Sequence, residues 1–192
     1  MLSSRAMKFV EKALVMDAAR LNRVLSRMAS EIVERNGGHD GLVLVGVKRR
    51  GIPLAERIAK HIAVLEGAPP RMATIDVAFY NDDLSTVASE PIVSASSLNG
   101  DLGEATLVIV DDVLYTGRTV WAAVQYLLVA HPARRVQLAT LIDRGHHELP
   151  IQADFVGRVL ATRDDEIVKV MLNEFDGAEK VLIVKLEAEA AS

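Results

Sequence analysis

Three apolar runs, each too short to cross a bilayer, constrain this chain more than any other feature. Residues 42–47, 106–113 and 136–143 are each built on a short apolar block, clearest in 42–47 and 107–110, so they read as buried strands. Such strands need cover on both sides, the situation of a parallel sheet sandwiched between helices. The intervening segments supply the helices. Over 16–35, Leu21, Val24, Leu25, Met28, Ile32 and Val33 recur at the three-and-four spacing of a buried face. Asp17 stands at its start and Asn36-Gly37-Gly38 at its stop. Further helices are predicted over 53–65, opened by Pro53, and over 118–129. Further strands are predicted at 71–80, 155–160, 167–173 and 180–186. The expectation is one α/β domain over residues 1–192, a mostly parallel twisted sheet flanked by helices. Residues 1–15 and 187–192 are expected to fray, and the polar stretch 80–101 to be a flexible loop or arm. In such sheets ligands bind at the carboxyl ends of strands, which directs attention to the residues after Val47, Val113 and Asp143.

Composition removes several functions. The chain has no cysteine, so disulfides, thiolate catalysis and cysteine-bearing zinc sites are out. The apolar runs fall well short of the roughly 20 residues of a membrane helix. Lys8, Glu11 and Lys12 interrupt any apolar region of a secretory signal, so a cytoplasmic protein is expected. A formal charge of −4 argues against a dedicated nucleic-acid binder while leaving room for a local basic patch. No Gly-x-Gly-x-x-Gly follows a predicted strand, which argues against a dinucleotide-binding dehydrogenase.

The most informative segment is Leu107-Val108-Ile109-Val110-Asp111-Asp112-Val113-Leu114-Tyr115-Thr116-Gly117-Arg118-Thr119. Two adjacent carboxylates stand where a buried strand leaves its sheet, and a hydroxyl-bearing loop with one glycine leads into a helix. Backbone N–H groups of that loop, the Thr116 and Thr119 hydroxyls and the positive end of the helix form an anion cup. A carboxylate pair beside an anion cup is contradictory unless the acids serve hydroxyls or a metal. A ribose 5-phosphate resolves this. Its phosphate fills the cup, its 2- and 3-hydroxyls donate to Asp111 and Asp112, and a magnesium ion bridges hydroxyls and a pyrophosphate. Lys48-Arg49-Arg50-Gly51, at the end of the first core strand, suits that pyrophosphate by charge, with Gly51 expected to admit a tight turn.

These segments resemble the phosphoribosyl pyrophosphate (PRPP) signature of type I phosphoribosyltransferases. Tyr115, where many members carry a small residue, points to a subset. Asp111 through Thr119, Arg144-Gly145-His146, Glu148-Leu149-Pro150-Ile151, Ala153-Asp154, Gly46-Val47-Lys48-Arg49-Arg50-Gly51-Ile52 and Phe79-Tyr80-Asn81-Asp82-Asp83-Leu84 are similar to the PyrR family, pyrimidine-operon attenuators with uracil phosphoribosyltransferase activity. The resemblance implies the type I phosphoribosyltransferase fold and transfer of ribose 5-phosphate from PRPP to uracil, giving UMP and pyrophosphate. It implies catalytic roles for Asp111, Asp112 and Arg50, and pyrophosphate binding by Lys48, Arg49, Arg50 and Gly51. Tyr80, Asn81, Asp82 and Asp83 would belong to a flexible loop closing over PRPP. Mg2+ would be held mainly by PRPP, with Asp111 and Asp112 acting on it indirectly. Asp143, Arg144, Leu160 and Thr162 are base-site candidates.

The same resemblance implies a homodimer or larger homo-oligomer and an mRNA-binding face, with Arg23, Arg27, His146, His147 and Arg158 as its candidates here. Ser30, His147, Gln152 and Asp164 stand where the family usually has cations or a histidine. Asn81 stands where arginine is usual, and 157–166 departs from the family's base-recognition text. Two alternatives therefore stay open: a nucleotide-sensing RNA-binding regulator with little turnover, and a phosphoribosyltransferase for another nucleobase.

Overall fold

The computed structural model describes residues 7–78, 92–96, 98 and 102–188. The elements follow in the order β1 (Met7–Asp17), α1 (Ala18–Asn36), β2 (Leu42–Val47), α2 (Gly51–Glu66), β3 (Arg71–Ala78), β4 (Ile92–Ser96), β5 (Thr106–Leu114), α3 (Arg118–Ala130), β6 (Arg135–Asp143), β7 (Phe155–Val159), β8 (Glu166–Met171), α4 (Asn173–Asp176) and β9 (Lys180–Ala188). They form two compact units, one of residues 24–160 and one drawn from the two chain ends, up to Arg23 and from Ala161.

The larger unit holds a six-stranded sheet in the order β4-β3-β2-β5-β6-β7. Its neighbours run parallel except β4, which is antiparallel to β3. The chain first builds outward from β2 to β3, then crosses to the other side of β2 to lay down β5, β6 and β7. The order thus reverses between β2 and β5, and in such sheets the ligand crevice opens at that reversal.

Alternation along the central strands distributes the helices. Val43, Val45, Val47, Leu107 and Ile109 share one core with Val120, Ala123 and Leu127 of α3. The opposite face is covered by α2, whose Leu54, Ile58 and Ile62 are buried at helical spacing. Each fully buried aliphatic side chain of this kind stabilises by roughly 1.5–3 kcal/mol. The first turn of α2 lies so close to β2 that a Cβ on Gly46 would come within 2.7 Å of the Ile52 Cα. Helix α1 is tied to β6 by the Asn36 amide, which donates to Gln137 Oε1 at 3.0 Å. It is tied to β7 by the Arg27 guanidinium, which donates to the Val156 and Gly157 carbonyls at 3.0 and 2.7 Å.

The smaller unit carries the antiparallel sheet β1-β9-β8. Lys12 of β1 pairs there with the buried Glu166 of β8, and Lys185 of β9 with Asp165 at 2.9 Å.

Two expectations are corrected. Residues 7–15 do not fray; they form most of β1. Register shifts between Glu11 and Ala13 and between Leu14 and Met16 break the alternation that would have announced a strand. Likewise Glu187 and Ala188 continue β9. Of the polar stretch 80–101, residues 92–96 form β4 on β3, and Tyr80, Asn81, Asp82 and Asp83 lie outside the described residues. Helix α4, four residues long, is too short to leave a periodic signal.

The contact at Gly46 makes a prediction. Gly46→Ala forces the start of α2 off the sheet, an overpacking defect of about 1–3 kcal/mol. At this length ~1 kcal/mol corresponds to ~2–4 °C, so differential scanning calorimetry should show a clear drop in the midpoint. An unchanged midpoint would mean that this helix end yields freely.

Candidate functional site

Strand β5 delivers the central residues. It is wholly buried through Asp111 and opens to half-buried at Asp112 and Val113. Gly117 then takes φ 87°, a left-handed conformation that favours glycine, and serves as the N-cap of α3. Gly117 offers no side-chain cap, the Thr116 hydroxyl accepts the Arg118 N–H at 3.4 Å, and the first internal bond runs from Trp121 N–H to the Gly117 carbonyl at 2.8 Å. The early N–H groups of α3, with Thr116 and Thr119 flanking Gly117, are groups of the kind that receive an anion at a helix start.

Asp111 is 9% exposed, and its carboxylate accepts the Asp112 N–H at 2.9 Å. Burial, reinforced by the neighbouring negative charge of Asp112, pushes its carboxyl well above the ordinary carboxylate range. Burial raises Asp112 as well, opposed chiefly by the Arg50 guanidinium, which favours its ionised form. The pair is thus short of water and one of its members already has a cationic partner.

That partner arrives on the loop after β2. Lys48 N–H donates to the Ile75 carbonyl at 2.8 Å and its ammonium meets Asp76 Oδ2 at 2.7 Å, which fixes the loop against β3. On the other side, a Cβ at Gly51 would stand 2.2 Å from the Val110 carbonyl oxygen. Gly51 is thus required for close approach to β5 rather than for the tight turn expected from sequence, since it is absent from the positive-φ glycines. The missing side chain lets Gly51 lie against Val110, one residue before Asp111, and the preceding Arg50 is the cation that acts on Asp112.

Strand β6 ends in register with β5: Asp111 pairs with Thr140 and Leu114 with Asp143. Asp143, buried, accepts the Gly145 N–H at 2.8 Å and meets His147 Nε2 at 2.9 Å. Its carbonyl accepts the Leu160 N–H at 2.8 Å. Asp143, Arg144 and Leu160 therefore stand together past the ends of β6 and β7, whereas Thr162 belongs to the other unit.

The candidates for the RNA face divide similarly, with Arg23 in the smaller unit. Arg27 is engaged by two carbonyls of β7 and by Glu31. His146 packs edge-on to Tyr115, ring centroids 5.6 Å apart, His147 is held by Asp143, and Arg158 lies half-buried on β7. Among the described residues no group of three or more acidic or imidazole side chains is arranged to hold a metal by itself. Sequence reading missed Asp76 and Glu148; each acts on a partner about 30 residues away, a distance that leaves no local signal.

The phosphoribosyl transferase domain family matches residues 15–171 of the chain. The chain is 47% identical to the bifunctional protein PyrR of Thermoanaerobacter sp. (strain X514), over 91% of this chain and 98% of that protein. It is also 47% identical to the bifunctional protein PyrR of Deinococcus deserti, over 92% and 96%. Among solved structures, a hypoxanthine phosphoribosyltransferase from Staphylococcus aureus superposes with a TM-score of 0.70 at 18% identity, covering 92% of each chain. The Trypanosoma cruzi hypoxanthine phosphoribosyl transferase superposes with a TM-score of 0.72 at 15% identity, over 91% and 92%. At those identities the likeness speaks to the fold.

The burial of Asp111 predicts a pH effect. Its carboxyl keeps a proton to higher pH folded than unfolded, so across that window the folded state binds more protons and stability falls as pH rises. Asp111→Asn retains the acceptor for the Asp112 N–H and removes the buried charge. The variant should melt above the parent at pH 7, with the gap closing as pH falls toward 4. A variant that melts lower at pH 7 would show that the ionised carboxylate is well accommodated.

Proposed function

This chain belongs to the phosphoribosyl transferase domain family and, within it, to the bifunctional PyrR proteins, and from that premise we propose how its residues carry out transfer. The reaction moves ribose 5-phosphate from PRPP to a nitrogen of uracil and gives UMP and pyrophosphate. The observation that supports this assignment of roles is the pair of buried Asp111 and half-buried Asp112, one short loop before the start of α3 and within reach of Arg50.

Asp111 and Asp112 accept from the two ribose hydroxyls. The backbone N–H groups of 115–119 and the Thr116 and Thr119 hydroxyls hold the 5-phosphate. Lys48, Arg49 and Arg50 draw the departing pyrophosphate as the bond from the anomeric carbon to oxygen breaks and the bond to uracil forms. Positive charge develops on the sugar ring during this exchange, and the two carboxylates below it are placed to stabilise that charge. Asp143, Arg144 and Leu160 border the position of the base.

The donor set fits magnesium. A cation would draw the raised Asp111 and Asp112 back to their ionised forms, and magnesium takes one or two carboxylates together with substrate phosphates rather than a full protein cage. When bound with PRPP it would neutralise charge on the pyrophosphate.

The proposal extends to one phosphoribosyltransferase domain comprising both units, since the family match draws on each. It includes a cytoplasmic setting, in keeping with the lack of a described helix long and apolar enough to span a membrane. It also includes a homodimer and binding of pyrimidine-gene mRNA, the second activity of a bifunctional protein. Because Arg27 already serves β7, that face would rely, within the larger unit, on Arg158, His146 and His147.

Pyrophosphate release with PRPP, magnesium and each nucleobase in turn tests the reading. Turnover is expected with uracil; turnover only with purines would reassign the base. Asp111→Asn and Asp112→Asn should each lower kcat/KM for PRPP about a hundredfold, the usual cost of losing one preorganised polar group. RNA affinity should fall with salt in proportion to the phosphates contacted, and a salt-independent affinity would count against a phosphate-based face.

A further inference from the structure

The phosphate loop does not hold its own shape. Within residues 114–118 and the first turn of α3, the internal bonds are few: Arg118 N–H to Thr116 Oγ1 at 3.4 Å, and Trp121 N–H to the Gly117 carbonyl. Yet each of the five residues from 114 to 118 is met by a residue between 144 and 151. The Leu114 carbonyl accepts Arg144 N–H at 3.0 Å, and the Thr116 carbonyl accepts Glu148 N–H at 3.0 Å. The Arg144 guanidinium lies over the Tyr115 ring at 4.1 Å while His146 meets that ring edge-on. The site where a Gly117 Cβ would stand is 3.5–3.7 Å from Ile151 and Leu149. Arg118 places both Nε and Nη2 on Glu148 Oε2, at 2.9 and 2.8 Å.

A cup built of backbone N–H groups binds an anion only as well as those groups converge. Here convergence is imposed by a second loop. We propose that Tyr115 and Glu148 are positioning residues for the 5-phosphate, acting through the loop rather than on the ligand. The Tyr115 ring is the pin: it is 39% exposed, yet it is gripped on its face by the buried Arg144 and at its edge by His146. Glu148 is the second pin. It holds the loop carbonyl through its own N–H and occupies the Arg118 guanidinium through its carboxylate, which leaves the backbone N–H groups rather than a mobile cation to bind the phosphate. An exposed ion pair of this kind adds little to overall stability, so its effect should appear in ligand binding.

This inference rests on the reading that residues 116–119 hold the 5-phosphate, and the experiment separates the two. Ribose 5-phosphate binding is measured by calorimetry, and kcat and KM for PRPP and uracil by pyrophosphate release. Tyr115→Ala should weaken ribose 5-phosphate and raise KM for PRPP about tenfold, with kcat and KM for uracil within twofold. Tyr115→Phe keeps the ring and should restore the parent values. Glu148→Ala should act in the same direction with an unchanged melting midpoint, and Glu148→Gln should lie between. Unchanged KM for PRPP in Tyr115→Ala and Glu148→Ala overturns the brace, as does tighter binding in Glu148→Ala, which would mean that a freed Arg118 dominates. A common fall in kcat with KM unchanged also overturns it, because that is the signature of lost folded protein. Failure of the parent itself to bind ribose 5-phosphate overturns the phosphate reading and the brace with it.

Discussion

Two adjacent carboxylates kept short of water are the constraint around which the site end of the larger unit is arranged. Asp111 follows four residues of β5 that are almost fully buried, and Asp112 leaves the sheet only one step later. Taking one carboxylate out of water is unfavourable, and taking two adjacent ones is more so, because each resists the ionisation of the other. Nothing in the folding of the apolar core requires acids at these two positions; Val or Ile would satisfy β5 better. Their presence makes sense when a cation or a set of hydroxyls completes them. Among the described residues the remedies are partial: the Asp112 N–H donates to Asp111, and the Arg50 guanidinium acts on Asp112.

The second remedy depends on a glycine. A Cβ at Gly51 would collide with the Val110 carbonyl, so any other residue would push the cationic loop away from the strand that carries the acids. The fold also has to bring β2 and β5 side by side, which it does by reversing the strand order between them. Arg50 from one strand end and Asp112 from its neighbour are thereby brought within electrostatic reach. That proximity follows from topology and a close backbone contact rather than from long flexible side chains.

Much of this was legible from residue order because the relevant signals are local. Residues 107–119 state a strand, an acid pair, a loop and a helix start in continuous text, and the helix periodicity of 16–35 was strong enough to place α1 within two residues. What escaped was either irregular or remote. Bulges hid β1 by shifting its alternation twice within six residues. The role of Gly51 was misjudged because a close approach to Val110 involves a residue 59 positions away, whereas a turn is a local event. Glu148 stands in a stretch that carries the family resemblance, but its contact with Arg118, 30 positions away, is not legible for the same reason. The motif-bearing loop can be read from its text, but the scaffold that shapes it lies in another loop.

This division bears on the regulatory half of a bifunctional chain. A cation that contributes to nucleic-acid affinity must be able to reach a phosphate, and each one engaged inside the fold is worth less at the surface. Arg27 has donors on two β7 carbonyls, and the 144–147 loop has Arg144 on Tyr115 and His147 on Asp143. Arg27, His146 and His147, three of the residues proposed for an RNA face, are therefore already engaged within the larger unit. The Tyr115 ring is met on its face by Arg144 and at its edge by His146, so an RNA contact to His146 would have to leave that ring.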